Sequence, residues 1–166
     1  HGVTELITGV DLVRQQLRVA SGLSLDMTQA DIALTGHAME CRVNAEDPRQ
    51  DFRPCPGTVE FLHFPGGAGV RVDSHLYNGC ALPPYYDSLA AKLMVHAPTR
   101  LEAIRKMRRA LEEFALEGFP TNVEPSYQIL YHPTFVRGGC TTAFLDENLP
   151  RLLDFNRRLS ESEGEA

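Results

Sequence analysis

The chain lacks the features that mark several large classes of protein. No apolar run among its 166 residues approaches the roughly 20 residues of a membrane span, and no basic stretch followed by an apolar one marks a secretion signal. Lysine and arginine number 16 against 22 aspartates and glutamates, for a net charge of -6. We therefore expect a cytoplasmic protein that binds neither nucleic acid nor a membrane.

Metal-binding patterns are also absent from the sequence. Its four cysteines are widely spaced without a C-x-x-C pair, and its six histidines show no H-E-x-x-H spacing. We expect reduced, mostly buried thiols and no metal held by this chain alone. With 43% apolar residues, the chain has enough material for one hydrophobic core, so a single domain is the default expectation.

Two capping-box patterns predict helices. Thr8-x-x-Asp11 is expected to open one helix, and Thr99-x-x-Glu102 a second that ends at Gly118. Shorter helices are expected over 125–131 and 141–153. The apolar face of the second helix is predicted to consist of Leu101, Ile104, Met107, Leu111 and Phe114.

The remaining pattern predicts an α+β fold. Two β-rich runs, 58–64 and 70–76, are separated by a glycine loop, which is typical of a β-hairpin. The run 89–95 is a short buried element, and the pattern leaves open whether it is a strand or a helix. The expected architecture is an antiparallel sheet that contains the hairpin and is packed by several helices.

The most informative segment spans residues 36–48. Apolar and polar residues alternate there, so a strand would place Glu40, Arg42 and Asn44 on one face. An arginine fixed on a strand is a rigid cation suited to hold a carboxylate, a phosphate or a developing oxyanion. The alternative that this pattern leaves open is an ordinary Glu-Arg ladder on the surface.

This segment resembles a signature of the biotin carboxylases, which have an ATP-grasp fold. The likeness runs from residue 1 to about residue 153 and covers only the C-terminal part of such an enzyme. The other segments that match, in the same order, are His1-Gly-Val-Thr-Glu5, Ile7-Thr-Gly-Val-Asp-Leu12, Pro54-Cys-Pro-Gly57, Gly69-Val-Arg-Val-Asp-Ser74, Pro83-Pro-Tyr-Tyr-Asp-Ser88, Ala91-Lys-Leu93 and Thr121-Asn-Val123.

The resemblance implies a division of the chain. Residues 1–8 would be the end of an ATP-grasp domain, and 9–153 would form the biotin carboxylase C-terminal domain. Residues 154–166 have no apolar anchor and are expected to be a disordered tail.

The activity that the resemblance implies is ATP-dependent carboxylation of carrier-bound biotin by bicarbonate. In that family ATP converts bicarbonate to carboxyphosphate, which yields carbon dioxide, and the ureido nitrogen of biotin loses a proton before it attacks. A guanidinium that faces the ureido oxygen stabilises the developing negative charge. The family's catalytic, biotin-binding arginine falls on Arg42. In the family, the residues that bind ATP, magnesium and bicarbonate precede the position of His1. This segment alone is therefore expected to be inactive.

Three further residues are candidates for orienting the guanidinium. Glu40 and Asn44 share the predicted face of Arg42 and are expected to hold it in place. Asp87 follows two prolines and two tyrosines, and two interpretations of it stay open. It is either a carboxylate that orients basic groups near the site or a turn aspartate bonded to its own backbone.

The resemblance also implies roles for three residues away from the strand. Thr142 aligns with an apolar residue near the adenine ring, so threonine departs from the family there. Arg71 aligns with an arginine of the homodimer interface of the bacterial enzyme. Ala68 stands where that interface has a large aromatic, so any homodimer through this surface is expected to be weak.

The main functional hypothesis is the C-terminal domain of the biotin carboxylase of a bacterial-type acetyl-CoA carboxylase, which serves fatty-acid synthesis. Its expected partners are an upstream ATP-grasp domain, a biotin carboxyl carrier protein and a carboxyltransferase component. One alternative is the same domain of a propionyl-CoA, pyruvate or urea carboxylase. Another is a non-catalytic module for dimerisation or for docking the carrier.

Overall fold

The computed structural model describes the backbone of residues 1–164 and the side chains of residues 1–154. The sequence predicts a disordered tail over 154–166, but the backbone of 154–164 continues helix α6, and residues 165 and 166 lie outside the described residues. The helices are α1 (Gly2–Thr8), α2 (Leu12–Ala20), α3 (Arg100–Glu113), α4 (Val123–Tyr131), α5 (Pro133–Val136) and α6 (Phe144–Gly164). The strands are β1 (His37–Asn44), β2 (Glu46–Asp47), β3 (Arg53–Pro54), β4 (Phe61–His63), β5 (Val70–Ser74), β6 (Leu89–Ala97) and β7 (Ala115–Glu117).

The central sheet has the strand order β1-β6-β5, and both pairings are antiparallel. Strand β6 is the element whose form the sequence left open. Its residues Leu93, Met94 and Val95 are all 0% exposed, because α1 and α3 both contact this strand. A strand that is covered on both faces reads as a continuous apolar run, and period-two alternation is then lost from the sequence.

Helix α3 forms the other half of the core and begins as the sequence predicts. Thr99 Oγ1 accepts a hydrogen bond from the Glu102 amide, and the Glu102 carboxylate accepts one from the Thr99 amide at 3.1 Å. The predicted apolar face is buried except at Leu101, which is 46% exposed. The predicted end at Gly118 is wrong, since residues 115–117 leave the helix to pair with β4 as strand β7.

The first capping-box prediction is also wrong. Thr8 is the last residue of α1, and Gly9 follows it with a φ of 71°, the left-handed conformation that commonly ends a helix. Asp11 is the N-cap of α2 and accepts a hydrogen bond from the Arg14 amide at 2.9 Å. The Thr8-x-x-Asp11 pattern therefore spans the junction of two helices.

The hairpin predicted over 58–64 and 70–76 does not form. Strand β4 pairs with β7, whereas β5 pairs with β6. Strand β6, nine residues long, pairs with β1 along one edge and with β5 along the other. The glycine loop therefore connects β4 and β5, which belong to two different sheets. The Lys106 ammonium holds this loop by donating to the carbonyl oxygens of Ala68 at 3.0 Å and His96 at 2.7 Å.

Gly118 marks a close approach between β7 and the chain before β4. Its φ is 118°, and a Cβ atom at this position would overlap the carbonyl oxygen of Thr58. Both the conformation and the space therefore require glycine. From here the chain continues through residues 119–122 into α4.

No helix among the described residues is both long enough and apolar enough to cross a membrane.

Candidate functional site

Strand β1 presents Arg42 as the alternation predicts. Val43 is 0% exposed, whereas the side chain of Arg42 is 57% exposed. In the sheet register Arg42 lies opposite Lys92 of β6, and Lys92 lies opposite Asp73 of β5. One face of the sheet therefore carries two neighbouring cations at its β1 side, on a backbone fixed by the core beneath.

Asp87 lies next to the Arg42 guanidinium. Its Oδ2 atom is 3.8 Å from Arg42 Nη2, and its Oδ1 atom accepts a hydrogen bond from the Leu89 amide at 3.3 Å. Both interpretations of this aspartate thus have a contact in the structure, one for each oxygen. The two charged side chains are 57% and 71% exposed, so their attraction contributes little to folding.

The loop that carries Asp87 is attached to the end of β1. The amide of Ala45 donates to the carbonyl oxygen of Ser88 at 2.8 Å. The Ser88 hydroxyl donates to the Glu46 carboxylate, which also accepts from Asn44 Nδ2 at 3.2 Å. These bonds fix the residue after Asp87 to the end of the strand that carries Arg42.

The structure does not bring the other two candidates to the guanidinium. Among the described residues no hydrogen bond or ion pair joins Glu40 or Asn44 to the charged end of Arg42. The side-chain amide of Asn44 donates a hydrogen bond to Glu46 instead. A shift of register between Val43 and Asn44 explains the difference for Asn44, because a bulge redirects the side chain that follows it.

Asn122 contacts β1 and was missed as a functional candidate. Its Nδ2 atom donates to the Arg42 carbonyl oxygen at 2.9 Å, and its Oδ1 atom accepts from the Asn44 amide at 2.8 Å. The only sequence signal was its place in Thr121-Asn-Val123. An asparagine just before a helix is normally interpreted as a helix cap.

The Arg71 guanidinium is hydrogen-bonded to two carboxylates of its own chain. Its Nη1 atom is 2.6 Å from Glu5 Oε2, and its Nε and Nη2 atoms donate to the two oxygens of Asp73 at 2.8 and 2.7 Å. These bonds to Asp73 and Glu5 raise the pKa of Arg71, and the bond from Arg71 holds the pKa of Glu5 below its usual value. Ala68, the other predicted interface residue, is exposed in the loop before β5. Their role in an interface stays a prediction.

Thr142 is exposed in the turn before α6, and its nucleotide contact also stays a prediction. All four cysteines are free, but only Cys80 is buried, so the expectation of mostly buried thiols is wrong. Cys41 is half-buried, and the partial loss of solvent around its thiol raises the pKa of that group. Within the described part of the chain no group of three His, Cys, Asp or Glu side chains is arranged to hold a metal ion.

The chain resembles known proteins in both sequence and structure. A family model described as "Biotin carboxylase C-terminal domain" matches residues 40–147. A biotin carboxylase of Haemophilus influenzae is 52% identical over 149 residues, which cover 90% of this chain and 33% of that protein. A pyruvate carboxylase component of Methanothermobacter thermautotrophicus is 50% identical over 147 residues, which cover 89% of this chain and 30% of that protein.

A solved structure extends the likeness to the fold. It is the biotin carboxylase domain dimer of the Hydrogenobacter thermophilus 2-oxoglutarate carboxylase, in complex with MgADP, ADP and bicarbonate. The identity is 44%, the TM-score is 0.88, and the match covers 92% of this chain and 33% of that one. The predicted α+β, antiparallel fold is thereby confirmed. The chain belongs to the biotin carboxylase C-terminal domain family, and it spans about a third of the length of these relatives.

Proposed function

We propose that this chain is the C-terminal part of a biotin carboxylase and supplies one wall of its active site. The reaction is the ATP-dependent carboxylation of carrier-bound biotin by bicarbonate. The observation that carries the proposal is the Arg42 side chain, which is more than half exposed on a strand whose next residue, Val43, is fully buried. A cation held in this way needs little reorganisation when charge develops in front of it.

Arg42 acts on the ureido oxygen of biotin. Its N–H groups donate hydrogen bonds to that oxygen and stabilise the negative charge that appears when the ureido nitrogen loses its proton. Asp87 restricts the directions that the guanidinium can take. Lys92, opposite Arg42 in the sheet, adds positive potential on the same face.

The remaining parts of the reaction belong to partners. ATP, magnesium and bicarbonate are held mainly by an ATP-grasp domain that precedes the residues of this chain. A biotin carboxyl carrier protein delivers biotin, and a carboxyltransferase component consumes the carboxybiotin. Because the acceptor does not take part in this half-reaction, Arg42 performs the same step whether the acceptor is acetyl-CoA, pyruvate or 2-oxoglutarate.

For the acceptor we propose acetyl-CoA, as in a bacterial-type acetyl-CoA carboxylase. This choice rests on the resemblance of segments 73–75 and 83–88 to that branch of the family. Relatives named biotin carboxylase, from Haemophilus influenzae and from Nostoc sp., are 52% and 50% identical, and a pyruvate carboxylase component is 50% identical, so overall identity does not select the acceptor. The test is to reconstitute the enzyme with its own carboxyltransferase and to compare acetyl-CoA with pyruvate. Carboxylation of pyruvate alone would refute the choice of acceptor and leave the biotin carboxylase proposal intact.

The decisive test for the site is Arg42→Ala in the full-length enzyme. Carboxyphosphate forms before biotin is activated, so biotin carboxylation should fall on the order of a hundredfold while bicarbonate-dependent ATP cleavage stays within about twofold. Arg49→Ala is the matched control, because Arg49 is 54% exposed and pairs with Glu124 at 3.7 Å. Equal losses in both reactions would refute the role of Arg42, and unchanged carboxylation would favour a non-catalytic docking module.

A further inference from the structure

The side chain of Asn122 does not cap the helix that it precedes. Asn122 is the N-cap residue of α4, where an asparagine usually accepts a hydrogen bond from the first turn of the helix, yet it makes no such cap bond. Its side-chain amide reaches β1 instead and contacts the backbone of Arg42 and Asn44. Helix α4 thus begins without this stabilisation, and the amide is used on the strand that carries Arg42.

The two contacts reproduce the pairing of a neighbouring strand. In a β-strand the N–H and C=O groups of alternate residues point to the same edge. Arg42 and Asn44 turn these groups to the edge of β1 that does not pair with β6. The Asn122 side chain accepts from one residue and donates to the other, and its backbone amide donates to the Asn44 carbonyl oxygen at 3.3 Å.

A pocket borders this edge of β1. The pairing with β6 changes register between Val43 and Asn44, so the inner edge is irregular beside Arg42. A cavity of about 260 Å³ lies between β1, α3 and α4, and both Arg42 and Asn122 line it. Val43 anchors this part of β1 in the core, and the Asn122 amide adds two hydrogen bonds on the outer edge, to the residues on either side of Val43.

We propose that Asn122 is a positioning residue for Arg42. By fixing the backbone on both sides of Val43, it fixes the direction in which the guanidinium meets the ureido oxygen. This inference rests on the proposed function. A displacement of about 1 Å caused by a residue outside the chemistry can cost on the order of a hundredfold in rate, so the effect should be measurable.

The test uses Asn122→Ala and Asn122→Asp in the full-length enzyme. Both should lower the kcat of biotin carboxylation by about tenfold or more and leave bicarbonate-dependent ATP cleavage within about twofold. The aspartate keeps an acceptor for the Asn44 amide but turns a second oxygen towards the Arg42 carbonyl oxygen. We therefore expect it to be no better than alanine.

A double variant distinguishes positioning from general stability. If Asn122 acts through Arg42, Asn122→Ala should lower carboxylation little further once Arg42→Ala is present. Asn148→Ala is the matched control, because Asn148 Nδ2 donates to the Phe144 carbonyl oxygen at 2.7 Å, a bond of the same kind on α6. The control should keep both activities.

Three outcomes would overturn the inference. They are a parallel loss of carboxylation and ATP cleavage, no loss of either, and a full additional loss in the Arg42→Ala background. Should the alanine variant fail to fold, hydrogen exchange of the Asn44 amide in Asn122→Asp and in Asn122→Ser gives an independent test, with faster exchange expected in Asn122→Ser. If Arg42→Ala itself leaves carboxylation intact, the proposed function fails; if only the Asn122 variants do, the positioning role alone fails.

Discussion

The contact between Asp87 and Arg42 can be tested by removing the charge alone. In Asp87→Asn the retained Oδ1 atom can still accept the hydrogen bond from the Leu89 amide, so the turn should persist. The atom that lies 3.8 Å from Arg42 Nη2 loses its negative charge. The variant therefore separates the orientation of the guanidinium from the structure of the loop.

The size of the effect follows from the distance and the exposure. Two unit charges 3.8 Å apart in water attract by about 1 kcal/mol, and the high exposure of both side chains makes water the appropriate medium. If that attraction selects the productive direction of Arg42, its loss should lower biotin carboxylation by about fivefold at low salt. In 1 M salt the screening length falls to about 3 Å, so the same variant should lose less than about twofold.

Steady-state biotin carboxylation and bicarbonate-dependent ATP cleavage, each measured at low and high salt, give the result. Asp26→Asn is the matched control, since Asp26 pairs with Arg18 at the same 3.8 Å distance. The control should leave both rates unchanged. The reasoning is refuted if Asp87→Asn carboxylates biotin as fast as the unmodified enzyme at low salt, or if its loss is the same at both salt concentrations.

Three further predictions concern the whole chain. The isolated 166 residues should unfold cooperatively and show neither ATPase nor biotin carboxylation above background; magnesium-dependent ATP cleavage by the pure chain would contradict this. Self-association of the full-length enzyme through the loop before β5 should be weak in sedimentation equilibrium and should strengthen in Ala68→Phe; a tight dimer that Arg71→Glu leaves intact would place the interface elsewhere. The bond from Arg71 lowers the pKa of Glu5 from about 4.5, so its stabilisation is present above that pH and is lost as the pH falls through the folded-state pKa. Urea unfolding should thus find Glu5→Gln less stable than the unmodified chain by about 1 kcal/mol near neutral pH and equal to it at a pH below the folded-state pKa of Glu5; an equal difference at both pH values would exclude this linkage.

The sequence predicted those features that depend on neighbouring residues. The capping box at Thr99 and the alternation around Arg42 are local patterns, and both are present in the structure. The pairing of β4 with β7 and of β5 with β6 joins segments that are distant in the chain, so the nearer hairpin was predicted in error. Local patterns cannot show which of two possible partners a strand will choose.

The same limit applies to the candidate site. Arg42 was found because its own strand and the family resemblance both indicate it. Asn122 lies 80 residues further along the chain, and its position before a helix had an ordinary explanation as a cap. Only the fold shows that its side chain lies on β1. Glu40 and Asn44 were chosen from an ideal strand, and the bulge after Val43 removes the ideal geometry at Asn44.

The glycine at position 118 limits how far the site can be varied by design. Any side chain there would need an unfavourable backbone conformation and would push against the Thr58 carbonyl. A displacement at position 118 would also shift residues 119–121, which connect it to Asn122. A mutant library built around Arg42 should therefore keep glycine at position 118, although this residue lies outside the site, because most clones that vary it would be lost before selection for activity begins.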